Sequence, residues 1–111
     1  MKTSNKKVVI RTSQKTFFLG FTDIMYCKAA GAYSVIYLTN GEQIITSNNL
    51  SKLFSLLSPL CYIYRICQSY LINTYYIKCI HHATKEVELH NNIMVPYTIS
   101  IKDIEEALNS I

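Results

Sequence analysis

Between Tyr62 and Ile72 the chain is apolar and aromatic except at Arg65, Cys67, Gln68 and Ser69, four side chains able to donate, accept or attack within five residues. The Gln68 amide has the geometry for a paired hydrogen bond to N6 and N7 of adenine, a contact worth about 1–3 kcal/mol of discrimination between bases. The same glutamine also reads as a solvated strand end. Arg65 suits a phosphate, or an internal ion pair with one of the seven acids. Ser69 can donate to a phosphate oxygen or bond the backbone of its own strand. Asn73 closes the stretch and reads as a turn residue in left-handed geometry rather than as a base reader.

Cys67, with the adjacent His81 and His82, raises the alternative of a cysteine nucleophile activated by a base. No oxyanion-stabilising segment accompanies it, only three glycines are present, and no Ser/His/Asp order stands out, so no enzymatic activity is expected. A redox-sensing role for Cys67 requires a lowered thiol pKa, which residue order does not reveal. The cysteines at 27, 61, 67 and 79 form no CxxC pair, and their spacing offers no compact metal site. Neither a metal nor any other cofactor is expected. In a reducing compartment all but Cys67 read as small buried hydrophobes.

With 111 residues, half of them apolar, the chain is long enough for one domain with a core and too short for two. Its net charge of +4 is unevenly spread. Lys2, Lys6, Lys7, Arg11 and Lys15 precede the first acid, whereas the other 96 residues carry six basic and seven acidic groups. Any affinity for nucleic acid must therefore come from a local patch plus this basic arm. The longest apolar region, Leu53 to Ile72, is broken by Pro59, Arg65, Gln68 and Ser69, so no membrane insertion is expected. No signal peptide is visible, and a cytoplasmic location follows as an expectation. Residues 1–7 read as a basic N-terminal arm or the edge of an excised piece, and residues 8–111 as a single domain.

The elements that must position these side chains are mostly strands. Val8–Ile10, Phe17–Leu19, Asp23–Ala29 and Tyr33–Thr39 are short β-branched and aromatic runs. Asn40–Gly41 predicts a type I′ hairpin returning through Glu42–Thr46. Leu50, Leu53, Phe54 and Leu57 then change the period to that of a helix, capped by Asn or Ser and stopped by Pro59. Tyr62–Ile72, Tyr75–Ile80 and Lys85–Leu89 resume strand character, and Asn91–Asn92 predict a two-residue turn into Ile93–Val95. A second helix carries Ile101, Ile104, Leu108 and Ile111 on one face behind a Ser100/Asp103 cap. Eight or nine strands and two helices without a βαβ rhythm predict a mainly β, antiparallel fold.

In order along the chain, residues 23–33 (Asp-Ile-Met-Tyr-Cys-Lys-Ala-Ala-Gly-Ala-Tyr), Thr-Asn-Gly at 39–41, Asn-Leu-Ser-Lys-Leu at 49–53, and Met-Val-Pro-Tyr-Thr at 94–98 resemble the landmarks of the LytTR DNA-binding domain. Ile-Tyr-Arg-Ile-Cys-Gln-Ser-Tyr-Leu-Ile-Asn at 63–73 is similar to that family's signature, Phe-x-Arg-x-His-Arg-Ser-x-x-Val-Asn. Cys67 stands where the family has His, Gln68 where Arg or Asn is common, and Ile99 where an Arg often reads DNA. The resemblance implies an elongated stack of short-stranded antiparallel sheets whose loops enter successive major grooves. Carried over, the contacting loops are Gly31 to Ser34, Arg65 to Ser69 and Thr98 to Lys102. The implied DNA-binding residues are Tyr33, Ser34, Arg65, Cys67, Gln68, Ser69, Thr98, Ser100 and Lys102, with Lys78 a further phosphate partner. Tyr33 also reads as packing, Lys78 and Lys102 as solvated surface, and Ser100 as a helix cap. The expected function is sequence-specific duplex DNA binding as the output domain of a bacterial response regulator. Its expected partners are promoter DNA with paired sites, on which two copies pair, and a receiver domain with a sensor kinase. The alternative is a LytTR-like protein-interaction module with weakened DNA binding.

Overall fold

In the computed structural model, which describes residues 6–109, strands β1 (Val8–Arg11) and β2 (Thr16–Leu19) form a first hairpin. Strands β3 (Ile24–Ala30), β4 (Tyr33–Leu38), β5 (Gln43–Thr46), β6 (Ile63–Cys67) and β7 (Tyr70–Asn73) make a five-stranded antiparallel sheet in the order β5-β4-β3-β7-β6. Strands β8 (Ile77–His81), β9 (Glu86–Leu89) and β10 (Ile93–Pro96) make a three-stranded one in the order β10-β9-β8. Helix α1 (Leu50–Leu57) links β5 to β6, and α2 (Ile101–Asn109) follows β10. Ten strands therefore stand among the described residues, more than the eight or nine expected, because the stretch from Tyr62 to Ile72 folds back on itself at Gln68–Ser69.

The five-stranded sheet is buried on both faces, which is why β3 and β7 read as near-continuous apolar runs rather than alternating ones. One face, with Cys27, Ile36, Ile44 and Leu71, packs under β1–β2 and α1 (Val8, Ile10, Leu53, Leu57). The other, with Met25, Ile66 and Ile72, packs on Val87, Leu89 and Val95 of the three-stranded sheet and on Ile104 of α2. Two bulges serve this division. One at Met25 and one at Ile66 shift the register; the first lets Met25 and Tyr26 both meet the second core, while regular alternation along β6 turns Tyr64 and Ile66 to that core and Arg65 between them toward α1. The stack is elongated, 41 × 34 × 24 Å.

Helix α1 begins as predicted, with Asn49 accepting from the Lys52 amide at 2.9 Å. Cys61, left-handed at φ 73°, ends the 3-10 turn that contains Pro59. The β4–β5 hairpin differs from the type I′ expectation. Only Gly41 is left-handed (φ 91°), Gly41 N–H bonds Leu38 O at 3.0 Å, and Leu38 N–H bonds Glu42 O at 2.9 Å. Three residues form the loop, and Asn40 instead accepts the Glu42 amide on its side chain at 2.9 Å. The turn into β10 also uses three residues, His90 to Asn92, with Asn91 and Asn92 both at positive φ. On α2, Ile104 is buried and Ile101 packs half-buried against the same core, while Leu108 remains exposed, so the predicted apolar face anchors through its first turn. Ile111 lies outside the described residues.

The cysteine expectation is corrected. Only Cys27 is buried; Cys61 and Cys79 are exposed and Cys67 is half-buried. Complete burial pushes the Cys27 thiol well above the ordinary range. In a native-state alkylation time course followed by mass spectrometry, exposed Cys61 is expected to react first, Cys79 and Cys67 later, and Cys27 only on unfolding. Fast labelling of Cys27 would contradict its place in the core.

Candidate nucleic-acid interface

Antiparallel pairing brings two turns to the same end of the five-stranded sheet. Strand β7 starts beside the end of β3, with Lys28 opposite Tyr70 and the Ala29 amide bonded to Ser69 O at 2.8 Å. The β6–β7 turn (Gln68, Ser69) therefore sits next to the β3–β4 turn, where Gly31 takes φ 65°. A third segment joins them, because the amides of Thr98 and Ile99 both donate to Ile66 O, at 2.9 and 3.4 Å. This bulge carbonyl hangs the entry to α2 on the tip of β6.

Arg65 organises the turn. Its Nε donates to Cys67 O at 3.3 Å, one terminal nitrogen to Gln68 O at 2.7 Å, and the other to Ser51 Oγ on α1 at 2.9 Å. Neither sequence reading of this residue anticipated that role. The guanidinium meets no acid among the described residues; it saturates the carbonyls of a turn whose two residues both keep negative φ. The planar fork of arginine suits two carbonyls on one turn, which a lysine cannot match.

Held there, Gln68 and Ser69 are exposed, and their side chains have no partner among the described residues. The same is true of Tyr33, 56 % exposed, and of Thr98 and Lys102. Ser100 accepts the Asp103 amide at 3.1 Å and so caps α2. Cys67 is half-buried at the strand end. Ile99 packs against the second core. Lys28, absent from the sequence prediction, is exposed beside this turn with its ammonium 5.8 Å from the Tyr70 ring. Its signal was available, as a lysine at an outward position of an otherwise apolar strand.

Two expectations are corrected, those for Ser34 and Asn73, and Lys78 lies away from these turns. Ser34 is fully buried, because β4 turns it inward beside buried Thr46, so its side chain cannot reach a ligand. Lys78 lies on the three-stranded sheet and pairs with Glu88 at 3.4 Å. Asn73 is fully buried with extended backbone, and its side chain bonds Phe21 O, Ile24 O and the Tyr75 amide. Its conformation is extended because those three partners, not a left-handed turn, satisfy it.

The proposed meeting of Cys67 with His81 or His82 does not occur among the described residues. Cys79 meets His81 instead, with Glu88 closing a compact group. Hydrogen bonding from His81 draws the Glu88 carboxyl below its ordinary range, while desolvation and Glu88 push the Cys79 thiol up. Thiol and carboxylate both meet the same imidazole nitrogen, Nε2, so the three do not form a relay, which needs one partner on each ring nitrogen.

No helix among the described residues is long and apolar enough to cross a membrane. No curated protein matches the chain. A solved structure that is similar is the LytTr DNA-binding domain of a putative methyl-accepting/DNA response regulator from Bacillus cereus, with 20 % identity over 97 % of this chain and 100 % of that one and a TM-score of 0.70. The profile of the LytTr DNA-binding domain family matches residues 14–109. Nearly the whole fold, including the Arg65–Asn73 hairpin, lies within that match, and the chain belongs to the LytTR DNA-binding domain family.

Proposed function

We propose that this chain binds duplex DNA sequence-specifically through the sheet end that carries Tyr33, Arg65 to Ser69, and Thr98 to Lys102. The observation that carries the reading is the Gln68–Ser69 turn, held by Arg65 from behind with its own side chains unpartnered and exposed. Gln68 reads a base edge, and an amide pair to adenine is its best match. Ser69, Thr98 and Tyr33 donate to phosphate oxygens, while Lys28 and Lys102 supply charge. Cys67 and Ser100 position their segments and make at most edge contacts.

By likeness to a domain described as part of a DNA response regulator, the chain acts as the output domain of a bacterial transcription regulator. Its partners are then promoter DNA at paired sites, occupied by two copies, and a receiver domain answering to a sensor kinase, in the cytoplasm. Ile99 and the near-neutral body favour a second reading, a protein-interaction module with weakened DNA binding.

Fluorescence anisotropy on promoter fragments across a salt series separates the two. Binding is expected to weaken linearly in log–log form, each neutralised phosphate adding about 0.9 to the slope. Gln68→Ala is expected to retain the fold by circular dichroism and to lose about 1–3 kcal/mol of preference between fragments. Undetectable or salt-independent binding would favour the interaction module, and unchanged relative affinities would remove Gln68 as a base reader.

A further inference from the structure

We propose that Cys79, His81 and Glu88 form a zinc-binding site on the outer face of the three-stranded sheet. Cys79 and His81 are two residues apart on β8 and so share a face, and the β8–β9 register sets Glu88 directly opposite Cys79. Val87 and Leu89 of β9 point into the core, which leaves Glu88 pointing out with the pair. The three ligand atoms lie within 4.8 Å of one another.

Their spacing is that of ligands around a small ion. Sγ is 3.5 Å from His81 Nε2 and 3.5 Å from Glu88 Oε1, and Nε2 is 2.7 Å from Oε1. With Zn–S of about 2.3 Å and Zn–N and Zn–O of about 2.0–2.2 Å, the two longer separations subtend about 105° at a common centre, close to tetrahedral. The shorter one subtends about 80°, and reaching a tetrahedral angle opens it by about 0.7 Å once the metal replaces the hydrogen bond between the imidazole and the carboxylate. The three ligand atoms are mutually adjacent, and meeting at a single imidazole nitrogen is an arrangement that suits a metal and not a proton relay.

Thiolate with imidazole and carboxylate selects zinc over calcium or magnesium, which take oxygen ligands. On binding, the S–Zn bond forms as the thiol proton leaves to solvent, and the N–Zn bond forms as Nε2 gives up the proton it shared with Glu88, to solvent from the imidazolium or by transfer to Nδ1 through solvent from the neutral ring, leaving one proton on Nδ1. The thiolate and carboxylate together balance the charge of the ion. Lys78 holds the other carboxylate oxygen, Oε2, at 3.4 Å and leaves Oε1 for the metal. The fourth position faces solvent.

Cobalt(II) titration of the 111-residue chain tests the site, because tetrahedral thiolate–cobalt gives a charge-transfer band and intense visible absorption. The band is expected to saturate at one cobalt per chain and to be displaced by zinc, to vanish in Cys79→Ser, and to persist in Cys61→Ser and Cys67→Ser. His81→Ala and Glu88→Gln are expected to weaken binding by at least about tenfold, the factor that even an outer hydrogen-bond partner contributes at metal centres. In the unaltered protein zinc is expected to protect Cys79, but not Cys61, from alkylation, a readout that needs no variant to fold. Absence of the band, its survival in Cys79→Ser, or equal labelling of Cys79 with and without zinc would overturn the site. None of these readouts depends on DNA binding.

Discussion

Asn73→Ala is expected to destabilise the domain by about 3 kcal/mol or more, a drop in Tm of about 12 °C for a chain of this size. Asn73 has no exposed surface, and its Nδ2 donates to the carbonyls of Phe21 and Ile24 while Oδ1 accepts from Tyr75 N–H at 2.9 Å. Alanine removes all three partners at once. The two carbonyls lie where β3 departs from the 3-10 turn before it, and each buried group left unsatisfied costs about 1–3 kcal/mol. Asn73→Asp is expected to be no better, because it retains the acceptor but turns a carboxylate oxygen toward two carbonyls. Urea and thermal unfolding measure both. A loss below about 1 kcal/mol would mean that the side chain does not hold β7 to β3.

Arg65→Ala is expected to erase the same sequence preference that Gln68→Ala erases, a change of about 5-fold to 150-fold in relative affinity, and to lower affinity overall. The reason is positional. The guanidinium bonds the carbonyls of Cys67 and Gln68 and fastens the turn to Ser51, so its loss frees the residue that reads the base. Arg65→Lys keeps the charge but cannot place donors on two carbonyls and Ser51 together, and it is expected to resemble Arg65→Ala. A double-mutant cycle decides the matter. If Arg65→Ala and Gln68→Ala act through one turn, the double variant loses no more preference than either single one. Additive losses, or rescue by lysine, would make Arg65 a charge partner of the DNA backbone instead.

Much of the fold was legible from local pattern. Period-2 and period-3.6 runs located the strands and both helices, Asn49 and Ser100 were recognisable as caps, and the ordered landmarks around Arg65–Asn73 pointed to the family that the profile match bears out. Turn geometry was legible only in part. Asn40–Gly41 marks a hairpin in either register, and the choice of a three-residue loop depends on the pairing of Leu38 with Glu42 across it.

What tertiary structure alone decided is which polar side chains are spent internally and which remain available. Ser34 and Tyr33 are neighbours with the same sequence signal, yet the alternation of β4 against the core buries one and exposes the other. Arg65 has donors for a phosphate or an acid, but the bulge at Ile66 brings the carbonyls of its own turn within reach first. Cys79, His81 and Glu88 span ten residues and become a cluster only through the β8–β9 register. Residue order alone carries the elements and the family, because periodicity and capping act over a few residues. The working surface was set by strand register and by the bulges, since a shift of one residue moves every side chain of a strand to the opposite face.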